Sequence, residues 1–244
     1  MPATPAWPPR SLPRLFVRAP LGEGVNVELD AGQANYLGNV LRLGEGSALL
    51  LFDGMSGEWQ ARIAEAGRKR MRLVVERRTR EAECVGDVWL AFAPVKRTQT
   101  DWLVEKATEL GAARLIPVLT QRTIVERVKI QRLEAIAIEA AEQCGRTRLP
   151  HIEEPLPLAR LLEQTGRTLY FADETGGEPV AKALAPGQAT ILTGPEGGFT
   201  DDERAAIRAA PGAVAISLGP RILRAETAAL AALAAYMAIA GDWR

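Results

Sequence analysis

The sequence predicts an α/β fold with a mostly parallel sheet, preceded by a small β-rich domain. From Asp87 onward, apolar strand-like runs alternate with helical patterns, which is typical of βαβ units. Between Arg14 and Arg80, short strand-like runs are separated by glycine-containing turns. A chain of 244 residues is long enough for one large domain or two smaller ones. We therefore expect a loosely held tail over residues 1–13, a β-rich domain over 14–80 and an α/β domain over 81–244.

The β-rich domain contains five strand-like runs and one helix candidate. The runs are "RLFV", "NVEL", "SALLLFDG", "WQARIAEA" and "MRLVVERR", and the helix candidate is "DAGQANYLGNVLRL". They predict a barrel-like domain, which follows a tail with three prolines among residues 2–8. Its last strands carry a basic cluster, which is either a solvated hairpin or a surface that faces RNA. The cluster consists of Arg68, Lys69, Arg70, Arg72, Arg77, Arg78 and Arg80.

The α/β domain contains five strand-like runs interleaved with helices. The strands are "VWLAFAPV", "RLIPVL", "TLYFA", "ATILTG" and "AVAISLG". Thr98 and Asp101 resemble a capping pair for the helix "DWLVEKATELGA", which Gly111 closes. The segment "IQRLEAIAIEAAEQC" has the 3.6-residue period of an amphipathic helix and ends at Gly145. The residues "TDDE" open a further helix, and an alanine-rich helix follows the last strand.

Composition and charge exclude several classes of function. The formal net charge is zero, but residues 1–80 carry a net charge of +4 and residues 81–244 a net charge of −4, so the first part is the more favourable one for anions. His151 is the only histidine, which excludes a multi-histidine metal site, and we expect it to be a loop residue without a catalytic part. Cys84 and Cys144 lie 60 residues apart without a CxxC motif, as in reduced cytoplasmic proteins.

Targeting and membrane-spanning segments are not expected. No signal peptide is visible, and the longest apolar run, Ala228–Ala240, has only 13 residues, which is too short to cross a bilayer. We therefore expect a cytoplasmic protein that has no metal ion and no contact with a membrane.

Two loops rich in glycine and proline follow consecutive strands. In "ILTGPEGGFTDDE", Gly194, Gly197 and Gly198 let a ligand approach the backbone where a helix begins. The loop lacks the lysine of a P-loop and the spacing of a dinucleotide fingerprint, and Pro195 removes one donor. Taken alone, it is either a tight strand-to-helix turn or a site for an uncharged ligand edge such as adenine. The second loop, "SLGPRILRAET", favours a ligand site, because ligands of open α/β sheets bind beyond the carboxyl ends of strands.

The two loops together resemble those of the SPOUT methyltransferases, and in particular the RsmE family of 16S ribosomal RNA uridine N3-methyltransferases. The segments "DWLVEKATELGA", "EAAEQCGR", "VLRLGEG" and "LFDG" agree with that family as well. The chain departs from it at "KRTQTDW", where relatives commonly have a glycine and an acidic residue after the lysine.

The resemblance implies an N-terminal PUA-like barrel that binds RNA and a C-terminal α/β domain with a trefoil knot. It also implies a homodimer that binds S-adenosyl-L-methionine and the 16S ribosomal RNA of the small subunit. The terminal helix "AALAALAAYMAIA" is apolar on every face, so that a partner subunit is a natural place to bury it. The cofactor-binding residues that we expect are Leu192, Thr193, Gly194, Pro195, Glu196, Gly197, Gly198, Ser217, Leu218, Gly219, Arg221, Ile222, Leu223 and Thr227.

Arg224 and Glu226 are the catalytic candidates. Negative charge spreads onto the carbonyl oxygens of uridine as the N3 proton leaves, and a guanidinium suits such planar acceptors. We expect Arg224 either to stabilise this charge or to hold Glu226. Glu226 would anchor the cofactor or receive the proton; alternatively, it only complements the dipole of the last helix. The candidates for RNA binding are Arg14, Arg42, Arg122 and Arg146, each of which could also be an ordinary surface arginine.

Two other functions remain open at this point. One is a SPOUT enzyme that modifies another RNA or another atom, such as a ribose 2′-hydroxyl. The other is a non-catalytic RNA-binding assembly factor, against which the intact glycines of both loops argue. An NAD-dependent Rossmann enzyme ranks last, because its glycine fingerprint is absent from the sequence.

Overall fold

A computed structural model of the chain describes residues 12–67, 70–125, 127–164 and 166–243. The chain divides into two compact units. The first unit comprises the chain up to Glu83 together with Gly145–Arg148, and the second comprises Cys84–Cys144 and the chain from Leu149 onward. The expected tail over residues 1–13 lies outside the described residues except for its last two positions.

The first unit is built on a five-stranded sheet in the order β1-β3-β4-β5-β2. Its strands are β1 (Arg14–Phe16), β2 (Asn26–Leu29), β3 (Ala48–Phe52), β4 (Glu58–Ala66) and β5 (Met71–Arg80). β1 is parallel to β3, and the other three pairs are antiparallel. Met71, Leu73 and Val75 alternate with more exposed residues along β5, so one face of this strand packs into the core. The five strands expected in this part of the sequence are confirmed.

The helix predicted over residues 30–43 is wrong in length. Helix α1 spans only Ala31–Asn35, and a π-helical turn continues it over Tyr36–Val40. Gly38 weakens a regular helix at this point. Arg42 then ends the segment with a φ of 57°, a left-handed conformation that glycine usually provides after a helix.

The second unit is built on a sheet in which every strand pair is parallel. Its five longer strands are β6 (Val88–Phe92), β7 (Arg114–Leu119), β10 (Thr168–Ala172), β12 (Ala189–Thr193) and β13 (Ala213–Ser217). They lie in the order β13-β10-β12-β6-β7 and are those expected from the sequence. Three strands of two residues each were not predicted: β8 (His151–Ile152), β9 (Leu156–Pro157) and β11 (Glu178–Pro179).

Helices cover both faces of this sheet. They are α2 (Arg97–Glu109), α3 (Ile130–Cys144), α4 (Leu158–Leu162), α5 (Val180–Ala183), α6 (Asp201–Ala209) and α7 (Ala225–Ile239). Side chains of α2, α3 and α7 share one buried cluster with strand residues such as Leu90 and Ile191. Side chains of α4 and α6 share a second cluster with Ala91 and Leu192, which point to the other face. The α/β prediction with a parallel sheet is confirmed.

The start of α2 differs from the prediction, whereas three other helix boundaries are confirmed. Thr98 and Asp101 do not cap α2, because the helix begins before Thr98 with Lys96 as its N-cap. The hydroxyl of Thr100 instead ties the strand end to the first turn, since it accepts from Val95 N at 3.1 Å and donates to Val95 O at 3.0 Å. The confirmed boundaries are Gly111 after α2, Gly145 after α3, and the capping box of Thr200 and Glu203 that opens α6.

Within the described ranges, no helix is long and apolar enough to span a membrane. In the same ranges, no group of three or more His, Cys, Asp or Glu side chains is placed to hold a metal ion.

Candidate functional site

Three neighbouring strands of the second unit end at the same edge of the sheet. β13, β10 and β12 lie side by side and are parallel, so the loops after them converge. These loops enclose a cavity of about 450 Å³, which we call the strand-end cavity. Its lining comprises Ala172, Asp173, Glu174, Gly176, Thr193, Gly194, Pro195, Glu196, Gly197, Gly198, Ile216, Ser217, Leu218, Gly219, Pro220, Arg221, Ile222, Leu223, Ala225 and Ala228.

The loop after β12 is a tight turn closed over an aromatic ring. Gly198 N donates to Pro195 O at 2.9 Å, and Gly198 has a φ of 68°, which disfavours any residue with a side chain. Phe199 is 1% exposed, and a Cβ atom on Gly194 would lie only 3.2 Å from its ring. The glycines thus allow the backbone to pass over Phe199 and reach the start of α6.

The segment after β7 braces this glycine-rich loop. Arg122 Nη1 donates to Gly197 O at 2.5 Å and to Phe199 O at 3.4 Å. Glu203 is buried and accepts from Gln121 N at 2.7 Å as well as from Thr200 N at 3.0 Å. Arg122, which was expected to bind RNA, therefore holds the carbonyl groups of the loop in this structure.

The loop after β10 supplies an acidic wall that the sequence reasoning missed. Asp173 has a fully buried side chain and accepts from Arg204 Nη1 at 2.5 Å and from Arg208 Nη2 at 2.6 Å. Glu174 accepts from Arg204 Nη2 at 2.9 Å. The "DETGG" turn follows a buried strand, and the rule that points to the other two loops would have found it.

The charge state of Asp173 is set by its surroundings. Burial alone would raise the pKa of Asp173, but hydrogen bonds from Thr175 N, Thr175 Oγ1 and Arg208, together with the charge of Arg204, outweigh it. The pKa of Asp173 therefore lies below its ordinary value, and the carboxylate is ionised at neutral pH.

The loop after β13 presents an apolar side chain and two arginines. Gly219 has a φ of 107°, and Ile222 is 82% exposed. Arg221 lines the strand-end cavity and Arg224 is the exposed N-cap residue of α7, where its side chain makes no capping hydrogen bond. Glu226 is 9% exposed in the first turn of α7, which is a favourable position for a carboxylate.

The structure brings most of the expected cofactor-binding residues together. All of them line the strand-end cavity except Leu192 and Thr227. The side chain of Leu192 packs in the cluster under α6, and Thr227 lies on the exposed side of α7. The lining, as far as the chain is described, also omits Arg224 and Glu226, although Leu223 and Ala225 on either side of Arg224 belong to it.

The candidates for RNA binding separate into buried and exposed arginines. Arg14 is 9% exposed and donates to Glu58 Oε2 at 2.7 Å, and Arg146 is 5% exposed with its Nε 3.5 Å from Glu83 Oε1. Both guanidinium groups are thus enclosed by the first unit. Arg42 is exposed at its left-handed position.

The basic cluster on the last strands of the first unit is partly neutralised. Arg72 pairs with Glu65, Arg78 with Glu81, and Arg80 with the buried Glu58. Arg77 donates to Gln60 Oε1 at 2.9 Å. Arg68 and Lys69 of this cluster lie outside the described residues.

Comparison with known families identifies both parts of the chain. Residues 81–237 match the model of the RNA methyltransferase domain, and residues 29–76 match that of the RNA methyltransferase PUA domain. The chain is 32% identical to ribosomal RNA small subunit methyltransferase E of Rickettsia conorii, over 91% of this chain and 93% of the relative. It is 35% identical to the protein of the same name from Synechocystis sp., over 87% of this chain and 73% of the relative.

A solved structure agrees with these relationships. The structure of ribosomal RNA small subunit methyltransferase E from Neisseria gonorrhoeae bound to S-adenosyl methionine has a TM-score of 0.88 and 30% identity, over 96% of this chain and 100% of that one. The expected PUA-like N-terminal domain and the methyltransferase-type α/β domain are thus confirmed. From its sequence and its fold, this chain belongs to the RNA methyltransferase family whose members include ribosomal RNA small subunit methyltransferase E.

Proposed function

We propose that the protein transfers a methyl group from S-adenosyl-L-methionine to N3 of a uridine in the 16S ribosomal RNA of the small subunit. The observation that carries this proposal is the strand-end cavity, which is formed by three adjacent strand ends in a chain of this family. The name of the curated relatives and the cofactor bound to the structure from Neisseria gonorrhoeae support the substrate and the cofactor.

The residues of the strand-end cavity fit S-adenosyl-L-methionine. Its volume of about 450 Å³ lies in the range of cavities that hold small cofactors. Backbone groups of Gly194–Gly198 and Ser217–Gly219 can bond the edge of an adenine ring, and Ile216, Leu218 and Leu223 offer apolar contact. The described lining has no lysine and a single arginine, Arg221, which disfavours a nucleotide triphosphate. When bound, the cofactor supplies a methyl group on a positively charged sulfur, and the protein provides position and charge.

The residues of this chain that we assign to chemistry are Arg224 and Glu226. Arg224 is exposed beside Leu223 and Ala225, so its guanidinium is accessible to a bound base close to the cavity. We assign to it the stabilisation of the negative charge that develops on the uridine carbonyl oxygens as N3 loses its proton. Glu226 directly follows Ala225, which lines the cavity, and is the candidate proton acceptor or cofactor anchor.

We also propose how the protein binds RNA and how its chains associate. The PUA-like first unit would close into a barrel and bind RNA through exposed cations such as Arg42, while the second unit would carry the trefoil knot. The alanine-rich α7 supports a homodimer, and a substrate in the small ribosomal subunit corresponds to a cytoplasmic protein.

Methylation of purified small ribosomal subunits with labelled S-adenosyl-L-methionine tests the proposal. The label should appear in 16S ribosomal RNA, and mass spectrometry of the digested RNA should locate it on N3 of one uridine. Label on a ribose 2′-hydroxyl would replace the assigned reaction, and an absence of label in RNA would overturn the enzymatic function.

A further inference from the structure

A second cavity, of about 150 Å³, opens where α2 and α3 begin. We call it the α2–α3 cavity. Its apolar floor consists of Pro94, Val95, Val125, Val128 and Leu133, and its other lining residues are Arg97, Thr100, Asp101, Arg127, Lys129 and Arg132. It lies within the second unit and shares no lining residue with the strand-end cavity.

The charged rim of the α2–α3 cavity is strongly positive. Its one described carboxylate, Asp101, is bound by Arg132 through three hydrogen bonds of 2.6 to 3.1 Å. Arg97, Arg127 and Lys129 are exposed, and none of them forms an ion pair with another described residue. Among the described residues, three positive charges therefore remain at the rim after the pair of Asp101 and Arg132 is accounted for.

The two helices that meet at this cavity add to its positive potential. Neither α2 nor α3 has an acidic residue in its first turn; α2 begins with Lys96 and Arg97, and α3 carries Arg132 there. The amide ends of helices carry partial positive charge, so cations at these positions are electrostatically unfavourable. Helix α6 of the same unit has the usual arrangement, with Asp201–Glu203 in its first turn. An anion in the α2–α3 cavity would remove the unfavourable charge at both helix ends.

We propose that the α2–α3 cavity binds a phosphate group of the RNA backbone. The identity of the partner as RNA rests on the function proposed above, whereas the preference for a phosphate anion rests on the cavity itself. The polar groups of Thr100 and Val95 are bonded to each other, and the floor is apolar, so no described group there is set to recognise a base edge. The contact is therefore independent of base sequence and positions the RNA strand.

The variants that test this site remove charge from exposed residues, so the fold is preserved. In Arg97→Gln and in the double variant Arg97→Gln/Lys129→Gln, phosphate contacts are lost, while Arg97→Lys keeps the charge. Arg160→Gln is the matched control, because Arg160 is an exposed arginine of α4 that pairs with Glu163 and is absent from this cavity. Calorimetric titration with S-adenosyl-L-methionine should give the same affinity for all four variants.

The measurement is the fluorescence anisotropy of a labelled single-stranded oligouridylate with the full chain at several potassium chloride concentrations. Each lost phosphate contact should reduce the slope of log K against log salt by about 0.7 and weaken binding about fivefold near 0.1 M salt. The double variant should show both the smaller salt slope and the weaker binding, and Arg97→Lys should retain the wild-type slope. Addition of inorganic phosphate should compete with the oligonucleotide in the wild type.

The outcomes separate this site from the proposed function. Affinity and salt slope of the double variant equal to those of Arg160→Gln would overturn the phosphate site, as would a wild-type protein that does not bind the oligonucleotide. The proposal would also be overturned if inorganic phosphate bound to the protein but the variants did not change the affinity for RNA. Anisotropy needs no turnover. A wild-type protein that binds RNA through this cavity but does not methylate small subunits would therefore contradict the proposed function and leave the phosphate site standing.

Discussion

Glu58 is a buried carboxylate of the first unit that binds the buried guanidinium of Arg14 and the half-exposed one of Arg80. It is 5% exposed and accepts from Arg14 Nε at 2.7 Å and from Arg80 Nη2 at 2.9 Å. Arg14 and Arg80 in turn donate to the carbonyl groups of Arg146 and Gly145. Sequence reasoning offered Arg14 to RNA as a cation of the predicted barrel, and Arg146 because it follows Gly145 in the segment "EAAEQCGR". Glu58 is 44 residues from Arg14, and no local pattern indicates their contact.

Replacing Glu58 by Gln should destabilise the protein by about 3 kcal/mol or more, because it removes the carboxylate charge that offsets the buried charge of Arg14. Unfolding in urea measures this free energy. Glu76→Gln is the control, since Glu76 pairs with the half-exposed Arg62 and should cost at most about 1 kcal/mol. Equal losses for the two variants would contradict the structural role of Glu58.

The effect of Glu58 on stability should depend on pH. Burial alone would raise the pKa of Glu58, but hydrogen bonds and charges from Arg80 and Arg14 lower it below its ordinary value. Its contribution should therefore be complete above the ordinary glutamate pKa of about 4.3 and be lost as the pH falls through the lowered value. The stability difference between wild type and Glu58→Gln should shrink in acid; a difference that grows in acid would contradict this assignment.

Arg224→Ala should lower turnover by at least about 10²-fold, since it removes a charge that acts on the developing oxyanion. The affinity for S-adenosyl-L-methionine, measured by calorimetry, should stay within about twofold of wild type. Arg221→Ala is the informative companion, because Arg221 lines the strand-end cavity and its loss should act on cofactor affinity. An Arg224→Ala protein that methylates near the wild-type rate would remove Arg224 from the mechanism.

At the scale of elements, three loops form the strand-end cavity, and side chains from α6 hold two of them together. Arg204 donates to Asp173 and Glu174 after β10 and to Phe199 O after β12 at 3.2 Å. Arg208 donates to Asp173 and to Gly176 O at 3.1 Å, both in the loop after β10, and its guanidinium lies 5.7 Å from the ring centre of Phe171 in β10. The sequence indicates the two Gly-Pro loops through their glycines, whereas these arginines show no motif that relates them to the cavity.

Arg204→Gln should weaken the binding of S-adenosyl-L-methionine by about tenfold, or about 1.4 kcal/mol, because it removes a side chain that bonds both loops at once. Arg208→Gln should have a smaller effect, since the loop after β12 keeps its support. Calorimetric titration of the two variants measures the difference. If Arg208→Gln weakened binding as much as Arg204→Gln, the link between the two loops would have no role in the affinity.

At the scale of the whole molecule, hydrophobic periodicity predicted the five longer strands of the parallel sheet and the amphipathic helix α3. These elements have continuous apolar runs or a clear 3.6-residue period, so local pattern determines them. The strands of two residues each, such as Leu156–Pro157, are too short to have a pattern. They form only beside a longer strand, which is β7 for β8 and β9 and β13 for β11. The start of α2 was missed because Thr98 and Asp101 fit a capping pattern, whereas the helix already begins at Arg97 without a side-chain cap. Two loops of the candidate site could be predicted. The acidic wall was missed because the reasoning followed loops with a Gly-Pro pair, which "DETGG" lacks.

The alanine-rich helix α7 leads to a prediction about assembly. Ala228, Ala231, Ala234 and Ala235 remain half-buried in the single chain, and small residues let another helix pack closely. Sedimentation equilibrium should therefore give twice the chain mass of 26.4 kDa. A single-chain mass at every protein concentration would rule out the homodimer.

The central claim is that three successive strand ends form one site for S-adenosyl-L-methionine. Hydrogen–deuterium exchange of the full chain, followed by mass spectrometry with and without the cofactor, tests it most directly. We predict that the cofactor slows exchange in residues 172–176, 193–198 and 217–223 together, because these segments line the same cavity. Protection in only one of these segments, or only elsewhere in the chain, would contradict the claim.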